Sequence, residues 1–287
     1  MQNSIALKQK LRLKQKDKII SLLIKLVLVC IAIVTIYPFV WMFFTSFKLE
    51  SDVVKFPPTI LPSKFVLKAY VDIWKKIPFI SYYKNSIIFA SGVTIISLLF
   101  DSMSGYSFAR LKFKGKNILF VAVLCTLMIP FHVTMIPLFV EITRMGLLNS
   151  YAGLIIPRAS NAFGIFMMRQ FFITLPKDLE EAARIDGCNE FKIYRSIMLP
   201  LCKPALISLG IFHFMYNWND LLYPMLLTTT NEMRPIPAGL ALFMGAHVIE
   251  YALLMAGACL ALAPIIIAYV FAQRYFIRGI AMTGLKG

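Results

Sequence analysis

EEAARIDGCNEFKIYRSIMLP, residues 180–200, carries Glu180, Glu181, Arg184, Asp186, Glu190, Lys192 and Arg195 within sixteen positions. It reads as a piece of a soluble protein, yet it lies between two apolar runs. The whole chain has 287 residues, of which 59% are hydrophobic and only 15% charged. Ordinary soluble domains hold about 25% charged residues. A soluble fold of this length could not bury so much apolar surface, whereas a chain that crosses a membrane repeatedly has no need to. The charged stretch is therefore an insert in a polytopic, all-helical membrane protein.

A span needs about 20 apolar residues. Six runs qualify, at 26–47, 85–109, 117–140, 150–172, 204–228 and 251–272. Asp101 is the one charge in the second, and Arg158 interrupts the fourth. The basic N-terminal stretch precedes a run with no small-residue cleavage site, so it is not expected to be a removable signal peptide. Twenty of the 30 lysines and arginines fall in 1–25, 110–116, 169–203 and 273–287. The positive-inside rule then places both termini and the 173–203 insert in the cytoplasm, and 48–84, 141–149 and 229–250 outside. The expected organisation is a cytoplasmic segment 1–25, a six-span transmembrane domain 26–276 containing the insert, and a cytoplasmic tail 277–287. The net charge of +16 follows these loops. It forms no basic patch with interleaved aromatics, so nucleic acid is not an expected partner. Membrane lipid is.

Within the insert, Pro176 suits a first helical turn. Asp178 and Glu181 have capping-box spacing. Gly187 supplies a C-terminal stop, and Asn189 can cap a second helix running to about residue 199. On the first helix Leu179, Ala182, Ala183 and Asp186 share a face with little bulk. Such a helix could rest on the membrane surface. Leu179 and Ile185 are its only large apolar residues, however, and interfacial helices carry larger anchors; docking to a protein fits better.

Glu181-Ala182-Ala183-x-x-Asp186-Gly187, followed by Phe191, Ile197, Leu199-Pro200 and Pro204, resembles the EAA loop of ABC importer permeases. Met128-Ile129-Pro130, Ile136-Pro137-Leu138-Phe139, 166–172, Trp218-Asn219-Asp220 and the ending from Gln273 are similar to carbohydrate-uptake permeases of the second maltose-permease type. The resemblance runs from about residue 36 and departs at Asp101 and Arg158. It implies a type I ABC importer permease fold and a non-catalytic subunit. It also implies a second permease subunit, a dimer of ATPase subunits that binds the ATP and Mg, an extracellular solute-binding protein, and a sugar as cargo. By resemblance, Glu181, Ala182, Ala183, Asp186 and Gly187 belong to a coupling helix that docks on the ATPase. The 229–250 loop, with Arg234, Pro235, Pro237 and Gly239, faces the binding protein. The C-terminal residues 283–287 reach between the ATPase subunits.

The chain has no phosphate-binding loop, since Gly115-Lys116 is followed by Asn117. His132, His213 and His247 have no metal-ligand spacing. The five cysteines form no C-x-x-C pair and are expected to be packing residues. No cofactor is expected in this chain. Charges inside a span face protein or water, so Asp101, Arg158, His213, Asn217 and Asn219 are candidates for the substrate path. Arg158 could meet either Glu141 or a passing sugar. Counted along the spans, Asp101 and Arg158 should lie about 10 Å apart in depth. An ion-coupled secondary transporter is the alternative that Asp101 and Arg158 support.

Overall fold

The computed structural model describes residues 2–246 and 250–284, with side chains for 17–242, 250–267, 269 and 270. No strand occurs among the described residues. The chain divides into two compact units, 1–71 with 250–259, and 72–249 with 260–287.

In the first unit, α1 (Gln2–Thr45) holds a span at Asp17–Thr45 whose most apolar 18-residue stretch has a mean hydropathy of 3.0 and buries none of its residues within this chain. A lone helix with apolar side chains all round is stable only where lipid or another protein covers it. Its C-terminal end closes on aromatic rings: Phe47 lies 5.1 Å from Phe43 and 5.2 Å from Tyr70. The short α2 (Glu50–Val53) supplies an unusual cap. Both Glu50 carboxylate oxygens accept backbone N–H bonds, from Tyr251 at 2.9 Å and Ala252 at 3.1 Å. These are free donors at the start of α15 (Tyr251–Gly284), where a negative charge is favoured. α3 (Lys68–Lys76) completes the ordered 48–84 segment.

The second unit is built on α4 (Phe79–Arg110). Its positions 85, 89, 93, 97, 101 and 105 fall on one stripe and all are buried. Asn85, Ser97 and Asp101 place polar groups on that stripe, which therefore cannot face lipid. Gly105 permits close contact with α8 (Ala162–Thr174), since a Cβ there would stand 2.6 Å from the Cβ of Met168.

The remaining spans are broken. α5 (Lys116–Cys125) and α6 (Phe131–Arg144) meet at Pro130 with a 99° bend. α7 (Tyr151–Ile155) and a 3₁₀ turn at Ile156–Arg158 precede α8. The insert is α9 (Asp178–Ile185) and α10 (Glu190–Ile193). A π-turn and α11 (Leu199–Leu201) then lead, through an 80° bend, into α12 (Lys203–Trp218). α13 (Leu222–Leu227) and α14 (Ile236–Ala246) follow. Among the described residues, counting each bent pair as one span, four segments are long and apolar enough to cross, and two shorter apolar helices, Ala162–Thr174 and Tyr251–Ile267, accompany them.

Several boundaries move from their expected places. The fourth and fifth runs are not continuous helices. Pro157 and the caps of Ser150 and Asn161 break the fourth. The fifth ends at Trp218 and restarts once Asp220 Oδ1 accepts the Tyr223 N–H at 3.2 Å. Asp178 makes no capping box: α9 starts at that residue and Lys177, without a side-chain bond, is its cap. α15 continues as helix through Gly284, so 277–284 of the expected tail are helical; 285–287, like His247, lie outside the described residues.

Candidate functional site

Asp101 is fully buried. Its Oδ1 accepts from Ser160 Oγ at 2.6 Å and from the Asn161 N–H at 3.0 Å, and Oδ2 lies 3.0 Å from His213 Nε2. Asn161 is also the cap of α8, accepting from Gly164 N at 2.8 Å, and its amide lies 3.4 Å from His213 Nδ1. With Nδ1 accepting from that amide, the ring donates to Asp101 through Nε2. Gly164 leaves the room: a Cβ there would stand 1.8 Å from Asp101 Oδ2. One carboxylate thus fastens the start of α8 to α4 and α12.

One helical turn away lies the second centre. Arg158 donates to Asn217 Oδ1 at 2.8 Å and pairs with Asp220 at 2.5 Å. Its guanidinium sits 3.8 Å from the Tyr223 ring centroid, a cation–π distance. The Arg158 carbonyl accepts from Ser97 at 2.9 Å. The expected partner Glu141 is elsewhere; it meets Arg144 at 3.3 Å on the exposed surface. Ser97 to Asp101, and His213 to Asn217, are each four residues, about 6 Å of helix rise. The broken fourth run brings Arg158 to this depth.

Arg158 opens on two cavities. One, of about 650 Å³, is lined by Phe131, His132, Tyr216, Asn219 and Asp220 among others. The other, of about 470 Å³, adds Phe163, Asn161, His213 and Asn217. Phe212 and Tyr216, shared by both, stack at 6.2 Å with 14° between planes. Asp101 is absent from either lining; it braces the site without reaching it.

The insert is built by local rules. Gly187 has φ +82°. The Cys188 N–H bonds to Ala183 O at 2.9 Å and the Gly187 N–H to Arg184 O at 3.0 Å, the two bonds of a Schellman stop. Asn189 Oδ1 caps α10 from Lys192 N at 2.8 Å. Only Glu180 and Ala183 of α9 are buried. Glu181, Ala182 and Asp186 are exposed, and Ile185 is 87% exposed. Of the four residues expected to share one face, Ala183 alone is buried within this chain; Ala182 and Asp186 lie on a free surface with Glu181. Glu180, unmarked in the sequence, faces Arg110 at 3.1 Å. Its only signal was a carboxylate beside the motif and an arginine closing a span.

The 229–250 segment is less free than expected. Pro235 and Gly239 are buried, and Pro237 is half-buried. A Cβ on Gly239 would stand 2.2 Å from the Tyr82 ring. Asn85 Nδ2 donates to the carbonyls of Glu232 and Arg234, and Ile236 N to Ser86 Oγ at 2.8 Å. Arg234 itself folds back on Asn231 and Thr229. Among the described residues of this segment the exposed ones are 229–232, because α14 packs on α4.

Residues 101–282 match the family model described as "Binding-protein-dependent transport system inner membrane component". The arabinooligosaccharides transport system permease protein AraQ of Halalkalibacterium halodurans is 35% identical over 277 residues, 96% of this chain and 99% of that protein. The trehalose/maltose transport system permease protein MalG of Thermococcus litoralis is 34% identical, covering 90% and 94%. Among solved structures, a chain of a bacterial ABC transporter involved in the import of the acidic polysaccharide alginate superposes with a TM-score of 0.82 at 26% identity, over 91% of this chain and 98% of that one. The match spans Asp101, the Arg158 centre and the insert alike, and the chain belongs to the family of inner membrane components of binding-protein-dependent transport systems, with the type I importer permease fold.

Proposed function

We propose that this chain is one of two permease subunits of an ATP-driven importer of saccharides, and that it takes up the work of a separate ATPase through α9. The single observation that carries the coupling role is the shape of α9: a short helix with a small, exposed face at Glu181, Ala182 and Asp186, ended by the Schellman turn at Gly187. A face of that kind admits close approach by a protein surface, and its carboxylates can meet basic groups there. Both termini and α9 are cytoplasmic, as the lysine and arginine distribution favours. The ATPase dimer, not this chain, holds ATP and Mg. The six-span domain 26–276 supplies half of the path, and an extracellular binding protein delivers the cargo.

The Arg158 centre lines that path with Asn217, Asn219 and His213. An ion pair inside a span, open to two cavities and flanked by stacked aromatics, suits a water-filled route for hydroxylated cargo. The relatives named for arabinooligosaccharides and for trehalose and maltose support a saccharide. Ion-coupled transport loses ground, because the Asp101 carboxylate is already engaged by three donors.

The test is copurification of the whole importer. Ala182→Arg should strip the ATPase subunits from an otherwise intact pair of permeases. Retention of those subunits at wild-type level, with normal uptake, would refute the coupling role.

A further inference from the structure

α9 is too short to hold its own orientation. Isolated helices below about 12–15 residues are marginal in water, and α9 has eight residues with Ala183 as its one buried apolar side chain. Something polar must aim it.

Arg110, the last residue of α4, is at the centre of that arrangement. Its Nη2 donates to the carbonyls of Phe172 at 2.6 Å and Leu175 at 2.5 Å, at the end of α8, where free carbonyls need donors. Its Nε meets Glu180 at 3.1 Å, and both side chains are 4% exposed. That contact lacks hydrogen-bond alignment, so it acts through charge. One guanidinium thus ties α4, α8 and α9. A second tie runs from Arg184 to Glu190 at 2.7 Å and on to the Tyr106 hydroxyl at 3.0 Å, but Arg184 and Glu190 are more than 40% exposed, and exposed pairs contribute little. Burial pushes the Glu180 carboxyl above its usual value, with Arg110 the foremost opposing influence. Removing one member of such a buried pair leaves an uncompensated charge.

We propose that Glu180 is a positioning residue for transport: held by Arg110, it locks α9 to the inner ends of α4 and α8, so that displacement of α9 by the ATPase is delivered to the span that carries Asn85, Ser97 and Asp101. This rests on the coupling role of α9. It concerns transmission rather than docking, because Glu180 points away from the free face.

The experiment uses the complete importer in nanodiscs, with spin labels at positions 114 and 177, exposed sites on the α4–α5 connection and at the start of α9. The readouts are ATPase copurification, basal MgATP hydrolysis, its stimulation by added binding protein, and the label–label distance with and without vanadate-trapped MgATP. In Glu180→Gln we expect full ATPase copurification and basal hydrolysis within about twofold of wild type. Stimulation should fall at least fivefold, and a sharp distance should become a broad one. Arg110→Lys keeps the charge and should retain part of the stimulation. If Glu180→Gln is not recovered as a complex, Glu180→Asp, whose carboxylate is one methylene short, should show the same split. Wild-type stimulation with an unchanged distance in either Glu180 variant overturns the proposal. Loss of the ATPase subunits from these variants also overturns it, since Glu180 would then act in docking. Failure of the coupling role itself would register separately, as indifference of copurification to Ala182→Arg.

Discussion

Arg158 and Asp220 set the electrostatics of the cavities. Arg158 is the one lysine or arginine among the cavity-lining residues, and Asp220 neutralises it at 2.5 Å with both side chains about 15% exposed or less. Removing either partner leaves the other, a largely buried charge, without its counter-charge, which is destabilising. Arg158→Gln and Asp220→Asn should therefore each lower the thermal midpoint of the purified importer, while the double variant should recover part of the loss. Strict additivity would show that the two are not coupled. At the other centre the sequence pointed to Asp101 and His213 as path residues; Asp101 lies behind the cavity linings as a brace, while His213 both meets Asp101 and lines the smaller cavity, a division no spacing rule reveals. Glu190 gives a pH effect of definite sign. Hydrogen bonds from Arg184 hold its carboxyl below the usual 4.5. The stability it adds is present above that value and lost as pH falls through the lowered one. Amide protection in α9 and α10 should thus hold from pH 7 to 5 and drop in stronger acid. In Glu190→Gln the acid drop should vanish; its persistence would assign the effect to another carboxylate.

The elements show where a local signal was sufficient. Gly187 was readable as a stop because only a residue without a Cβ adopts φ +82° at low cost, and Asn189 as a cap because its side chain substitutes for a missing helical acceptor. Gly187→Val should cost about 1–2 kcal/mol at the turn and misdirect α10. We expect permease assembly to survive and binding-protein-stimulated hydrolysis to fall severalfold; unchanged stimulation would show that the angle between α9 and α10 is immaterial. Asn161→Ala removes the cap of α8 and should destabilise by about 0.5–2 kcal/mol, read as a lower thermal midpoint. The expected fourth and fifth spans were drawn as single helices because hydropathy averages over a break. Pro157 hinted at one, but the restart at Asn161 depends on Asp101, sixty residues earlier in the chain.

At the scale of the molecule, the 229–250 segment tests the separation of fold from function. Residues 234–240 are part of the packed unit, and 229–232 are the exposed residues among those described in this segment, so the proposed contact with a binding protein is tested there. Replacing 229–232 with Gly-Ser residues should leave the thermal midpoint unchanged and reduce uptake severalfold. Full uptake would move the contact to another surface. The sequence by itself determined that the chain lives in a membrane, that it has six apolar segments, and that residues 173–203 are a soluble-type insert. Those are sums over neighbouring residues: hydropathy, caps and turns depend on what lies within a few positions along the chain. Only the tertiary structure decided that Arg158 meets Asp220 rather than Glu141, that Glu180 faces inward to Arg110, and that Gly239 packs on Tyr82 of α4. Each of those outcomes depends on the distance and rotation between helices far apart in sequence, and in a low-dielectric interior a shift of a few ångströms decides which charge finds a partner.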